Sequence, residues 1–400
     1  MAVAVLVVAT AAACADDDDS ADSATAQTTV AAAATSTSPP TTSATTTVPA
    51  TVPATTSPAT VPPTAPPTAP PTTEPPGPQW TETPVEGCVC SDGSPLTIYE
   101  RVADPTKVVL YFEGGGACFS AATCDPNASP TYTVNRNGVT TSTLGRLGGY
   151  FDTSNTENPL ATHSFVYVPY CTGDVHEGSI TKDYGNGVVI EHRGYANATK
   201  ALDYLVAQYP DAEQVVVTGE SAGSVPTALF GALVADRLPD AGVVTFGDSS
   251  GAYPDVDPIN AVIGEVWGFP GGVPDWPELV GLTVEQWSFP EQFIYSGHHA
   301  PHVRFGRFDH AFDQVQAQYG ALAGVPGDEL VTLIDANEQQ IENAGVQLAT
   351  YVAPGDLHTV AGTDDLYTIE VEGVRLVDWL RALINDPEPP PDVHCVTCTG

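Results

Sequence analysis

Between Gln214 and Ser224 the sequence reads QVVVTGESAGS: a short apolar run, a turn with glycine at both ends, and then a helix-compatible stretch. A buried strand that must reverse sharply into a helix around a single serine leaves few folds open. The turn is sharp and neighbouring backbone lies close, so Gly219 and Gly223 sit where a Cβ would find no room. In this frame Ser221 stands on the tip with its hydroxyl exposed, as a nucleophile does. A helix N-cap serine in a tight turn is the plainer alternative.

The elements around it repeat the same rhythm. VVLYFEGGG (108–116) and SFVYVPYC (164–171) read as buried parallel strands. A helix is predicted over 194–209, a strand over 214–219, a helix from Ser224 and a strand over 243–248. LATYVAP (348–354) is a late strand, and VRLVDWLRALI (374–384) a closing amphipathic helix. The expected class is α/β, a mostly parallel sheet with helices on both faces. Residues 249–300 break the rhythm with Trp267, Trp276, Trp287, Phe269 and Phe289. That Trp-rich insertion is expected to form a small core of its own, and as a group its aromatics could wall a pocket.

A serine nucleophile needs a base, an acid to orient it and donors for the oxyanion. The backbone N–H of Ala222 is one expected donor, and the turn Glu113-Gly114-Gly115-Gly116 after an earlier strand is the place for another. No GxGxxG or GK[ST] accompanies these glycines, so a phosphate loop is disfavoured. The base should follow Ser221 in the chain. Among His298, His299, His302, His310, His358 and His394, His358 lies just past a late strand and before the last helix. For the acid, Asp248, Asp309, Asp313 and Asp356 compete; position favours Asp309 and Asp313 together.

Charge and composition set the surroundings. The 400 residues hold 49 acids and 12 bases, a formal charge of -37, and the first base is Arg101. Nucleic-acid binding and a polybasic membrane patch are excluded as expectations. Residues 1–80 carry 14 of the 37 prolines and one of the 36 glycines. Such a Thr/Pro/Ala-rich stretch cannot bury enough surface to fold. Residues 1–14, MAVAVLVVATAAAC, resemble an export signal ending at a lipoprotein-type Cys14; an ordinary secretory signal is the alternative. The expected layout is a signal over 1–14, a disordered stalk over 15–84, the α/β domain over 85–388 and a Pro/Cys tail over 389–400. The chain is expected to be exported, touching a membrane only through a lipid on Cys14. The seven further cysteines fit an oxidising compartment better than zinc, because CVC and CVTC lie at opposite ends of the domain.

Five segments together carry a family resemblance: LYFEGGGACFSAATC, VPYCTGDVHEGS, GESAGS, AFDQVQ and GDLH. They resemble the pectin acetylesterase and Notum family of serine carboxylesterases, in its bacterial branch, over roughly residues 90–383. The resemblance implies an α/β-hydrolase fold without metal or cofactor. It assigns Ser221 as nucleophile, Asp313 as acid and His358 as base, with Gly115, Gly116 and Ala222 as the oxyanion hole. It pairs Cys90 with Cys171 and Cys118 with Cys124, leaving Cys88, Cys395 and Cys398 to form at most one more bridge.

Three features depart from the family pattern, one of them the CVTC tail, which has no counterpart in it. Ala117 stands where an aromatic residue usually precedes the cysteine. Glu220 replaces a small residue before the serine, its side chain expected to face outward. The implied activity is hydrolysis of a carboxylic ester by a monomer, with acetyl groups on an extracellular polysaccharide as the substrate. A lipase or polyester-type esterase and a catalytically silent surface binding module are the alternatives.

Overall fold

The computed structural model describes residues 79–135, 138–326 and 330–398. The export signal, Cys14 and the stalk up to residue 78 lie outside the described residues.

The strands in chain order are β1 (Trp80–Val89), β2 (Pro95–Arg101), β3 (Asp104–Phe112), β4 (His163–Val168), β5 (Ile180–Asp183) and β6 (Val189–His192). They continue with β7 (Gln214–Glu220), β8 (Gly242–Asp248), β9 (Arg304–His310) and β10 (Leu348–Ala353). The last three are short: β11 (Glu370–Val371), β12 (Val374–Arg375) and β13 (Val393–His394). Nine of them form one sheet in the order β1-β2-β4-β3-β7-β8-β9-β10-β13. From β4 to β13 every pairing is parallel, while β1 and β2 run antiparallel at the edge. The α/β-hydrolase-like architecture that the resemblance implies is therefore present, a mostly parallel sheet flanked by helices.

Alternation along the strands divides the core into two layers. Val108, Leu110, Phe112, Val215 and Val217 face the helices Gly194–Gln208 and Thr227–Arg237. Val109, Tyr111, Val216, Val244 and Phe246 face the other way, onto the helix Leu376–Asn385 and its buried Trp379 and Leu380. Successive side chains leave opposite faces of a strand, so one valine run serves both layers.

Boundaries moved where local chemistry overrode the pattern. The helix predicted from Ser224 starts at Thr227, after one 3₁₀ turn over Ser221–Gly223 and a Pro226 N-cap. Val374 and Arg375, read as helix, pair with β11 instead, and the closing helix begins at Leu376.

The sheet also runs past both limits read from the sequence, 85 and 388. Trp80 is buried at the start of β1, its ring 5.9 Å from Phe165 and 6.2 Å from Tyr167. In the Pro-rich tail, Val393 pairs with Tyr351, so β13 adds the last parallel strand, followed by a Cys395–Cys398 disulfide. Strands this polar or this short leave no apolar period to read.

The insertion over 249–300 contains no strand and is built from short helical turns and the helix Phe289–His299. Trp267, Trp276 and Trp287 are all buried. The Trp276 Nε1–H donates to Asp236 Oδ2 at 2.9 Å, and Trp287 stacks on Tyr295.

Candidate active site

β7 is held between β3 and β8, and its last pairs are Gly219 with Phe112 and Gly247, then Glu220 with Asp248. The next residue, Ser221, has φ +54°, a left-handed backbone that a non-glycine residue adopts only where its surroundings enforce it. What enforces it is close packing. A Cβ on Gly223 would collide with the Phe112 and Glu113 carbonyls, and one on Gly114 would sit 3.0 Å from the Ser221 Cβ. The elbow and the glycine turn after β3 therefore press directly together, and only glycine fits between them.

Ser221, Ala222 and Gly116 line one cleft with a cavity of about 60 Å³. Gly115 stands behind it, its carbonyl accepting from the Thr133 N–H at 2.8 Å. The rest of the lining is mostly apolar, with Ala117, Phe119, Trp267 and Phe289 among it, beside the phenols Tyr253 and Tyr319. Three aromatics of the insertion, Tyr253, Trp267 and Phe289, thus wall the cleft, while Trp276 and Trp287 pack into the core shared with the sheet and its helices, so the insertion does not form the separate small core expected. The Cys118–Cys124 disulfide braces the chain directly after the glycine turn, and Cys90–Cys171 joins the entry of the sheet to the segment after β4. Both pairings are those the family resemblance implies. Cys88 is left as a buried thiol, which burial pushes up to about 11.

His358 lies in the loop after β10, its Nδ1 2.6 Å from Asp313 Oδ2. Asp313 is fully buried and caps the helix Gln314–Leu322, Oδ1 accepting from the N–H groups of Val315 at 2.8 Å and Gln316 at 3.1 Å. The Gln316 amide donates to Asp313 Oδ2 at 3.1 Å and to Asp309 Oδ1 at 2.9 Å. His358 Nε2 is buried and has no hydrogen-bond partner among the described residues. Burial works against the imidazolium, but the hydrogen bond to Asp313 and the charges of Asp313, Asp248 and Glu220 outweigh it, and the net shift is upward.

The competing residues have other partners. Asp309 faces Arg307, Nε to Oδ2 3.1 Å, and accepts from the Gly251 N–H. Asp248 accepts from the N–H groups of Val360 and Ala361, both at 2.8 Å, and so pins the loop just after His358. Asp356 is exposed. His299 stacks on Trp276 and bonds Asp236 and Glu278; His298 bonds the Ala344 carbonyl, and His394 bonds Asp335.

Near this site Ser249 carries no sequence signal of its own, whereas Gln316 belongs to the AFDQVQ segment and Glu220 is the departure before the serine. Ser249, at φ +69°, donates to the His358 carbonyl. Gln316 bridges two aspartates. Glu220, expected to face outward, is half-buried with its Cγ close to Gly114 of the glycine turn, and burial pushes its carboxyl up.

The pectinacetylesterase family pattern matches residues 79–264, from β1 into the first part of the insertion. An inactive palmitoleoyl-protein carboxylesterase notum1b of Danio rerio is 34% identical over 118 residues, 27% of this chain and 76% of that protein. The chain belongs to this family. Two further relatives of the pectinacetylesterase chain are palmitoleoyl-protein carboxylesterases of Xenopus laevis. Notum1 is 29% identical over 159 residues, 38% of this chain and 31% of its own length. Notum2 is 26% identical over 150 residues, 34% of this chain and 27% of its own length. The chain thus spans about a third of the length of these two relatives. The three disulfides of this family member fit an extracellular protein, and no described helix is long and apolar enough to cross a membrane.

Proposed function

We propose that this pectinacetylesterase-family chain hydrolyses carboxylic esters through an acyl-enzyme on Ser221. The observation that carries this reading is the His358–Asp313 pair. A carboxylate on Nδ1 holds the proton there and leaves Nε2 free to accept one. In the first half-reaction Ser221 Oγ attacks the acyl carbon as its proton passes to Nε2, and the carbonyl oxygen becomes an oxyanion facing the amides of Gly116 and Ala222, with Gly115 shaping the turn. Collapse expels the alcohol, which takes the proton from His358. Water, deprotonated by the same nitrogen, then attacks the acyl-enzyme and releases the acid and Ser221. No metal or cofactor takes part in these steps.

Acetyl groups on an extracellular polysaccharide are one substrate class. We extend the reading to an exported monomer, anchored through Cys14. A longer acyl chain is the second reading, favoured by the mostly apolar lining of the cleft with Phe119, Trp267 and Phe289 and by the acyl group in the names of the two Xenopus relatives.

Turnover of para-nitrophenyl esters from acetate to long acyl chains, for wild type and Ser221→Ala, tests all of this. Wild type should be active and the variant should lose at least about 10³-fold in kcat while staying folded. A rate that peaks at acetate supports deacetylation; a peak at longer chains supports the second reading. Turnover retained by a folded Ser221→Ala rejects the nucleophile, and an inert wild type favours a silent binding module.

A further inference from the structure

The glycine turn after β3 is held from a side that none of the steps above uses. Residues 131–133 run antiparallel to it. The Thr133 N–H donates to the Gly115 carbonyl at 2.8 Å, Tyr132 forms a bridge with Gly116, and the Thr131 hydroxyl donates to the Ala117 carbonyl at 2.6 Å. The same segment is anchored further back, where the Thr131 N–H donates to the Thr123 carbonyl inside the Cys118–Cys124 loop and the Tyr132 phenol to the Ser91 hydroxyl.

Tyr319 closes this frame from a different element. It stands half-buried on the helix Gln314–Leu322, whose N-cap is Asp313, and its hydroxyl donates to the Thr131 carbonyl. A Cβ on Gly116 would strike that carbonyl and the Tyr319 hydroxyl together. Gly116 has φ +77°, so both oxygens pack where only glycine leaves room, against the residue whose amide is assigned to the oxyanion above. Ser221, Gly116 and Tyr319 line the same cleft. One helix thus presents the acid of the triad at its start and, within two turns, a clamp on the oxyanion turn.

We propose that Tyr319 is a positioning residue for the ester hydrolysis inferred above, on which this role rests: by holding Thr131 against the glycine turn, its hydroxyl keeps the Gly116 amide aimed at the oxyanion. With its proton given to Thr131, the phenol acts on backbone and not on the substrate. An amide aimed in advance at the place where negative charge forms stabilises the transition state more than the ground state. A loosened turn therefore lowers kcat before it raises KM.

Tyr319→Phe removes the hydroxyl and keeps the ring. Three readouts should be taken for this variant beside wild type and Ser221→Ala: turnover of para-nitrophenyl acetate, inhibition by a trifluoromethyl ketone that forms a tetrahedral adduct with Ser221, and the amide NMR signal of Gly116. The expected variant melts near the wild-type temperature and has a kcat lower by roughly tenfold, part of the roughly 10² to 10³ fold lost with a whole oxyanion donor. Its KM should stay within about twofold, its ketone affinity should weaken by the same factor as kcat/KM, and its Gly116 signal should be displaced. A merely structural role would lower the melting temperature and leave the Gly116 signal and the KM-against-kcat split in place. If kcat or the Gly116 signal is unchanged while Ser221→Ala is inert, the Tyr319 role is overturned and the ester reading stands. If Ser221→Ala keeps its turnover, or wild type has none, the ester reading fails, and the Gly116 signal alone decides whether Tyr319 holds the turn.

Discussion

Asp313 divides its work between two oxygens. Oδ1 caps a helix through two backbone amides, while Oδ2 meets His358 and the Gln316 amide. Replacing it by Asn preserves the cap but turns an NH₂ group toward Nδ1, favouring the wrong tautomer. Asp313→Asn should therefore lower kcat by roughly 10² to 10⁴ fold with little change in melting temperature. Asp309→Asn should behave in the opposite way. It strips a buried Arg307 of its carboxylate, so stability falls by about 3–5 kcal/mol, while kcat per folded molecule changes much less. Paired thermal melts and active-site titrations separate the two, and an exchange of behaviours would make Asp309 the acid. Sequence order alone had left these aspartates level. Their difference is which carboxylate the chain path brings to His358 and which to Arg307, and no local pattern encodes that.

At the scale of elements, the decisive contact is between the glycine turn after β3 and the elbow after β7. The two strands are neighbours in the sheet, so their loops emerge side by side at the same end, as parallel pairing requires. Gly223 sits where its missing side chain admits the Phe112 and Glu113 carbonyls. Gly223→Ala should cost about 1–3 kcal/mol by overpacking and lower kcat as well, because backbone that yields there carries Gly116 and Ser221 apart. Urea unfolding with parallel kinetics checks both; an alanine variant of unchanged stability and activity would show that the loops have slack. The glycines and the strand before the serine were readable in the sequence because a short apolar run ending in GxSxG is a strong local signal. β13 was hidden, since two residues in a Pro-rich tail become a strand only when β10 offers an edge.

Across the whole molecule, buried ionisable groups set the pH response. Burial pushes Glu113 and Asp248 up to about 7 and Glu177 up to about 8, against ordinary values near 4. These carboxyls hold their protons in the folded chain at pH values where the unfolded chain has released them. Their contribution is complete below about pH 4 and is lost as the pH climbs through 7 and 8. Burial pushes His163 and His176 down to about 4. Those histidines make the folded state weaker as pH falls from 6.5 toward 4, so they offset the carboxyls in that window but not above it. The melting temperature should consequently fall between pH 6.5 and 8.5, a direction that the self-repulsion of a chain with formal charge -37 reinforces. Differential scanning calorimetry across that range tests it, and a rising melting temperature would contradict these assignments.

The sequence by itself determined the alternation of apolar strands and helices, the turn that carries Ser221, the acidic composition and the order of serine, acid and histidine along the chain. The first two are written within a dozen or so neighbouring residues, the acidic character in the composition as a whole, and the order of the three residues in their places along the chain. Tertiary structure decided which aspartate meets His358, which three of the insertion's aromatics wall the cleft, and that both ends of the domain join the sheet. Those outcomes depend on contacts between segments distant in the chain, from Asp313 and His358 to Val393 and Tyr351. They follow from the order in which the strands lie side by side, a property of the assembled sheet.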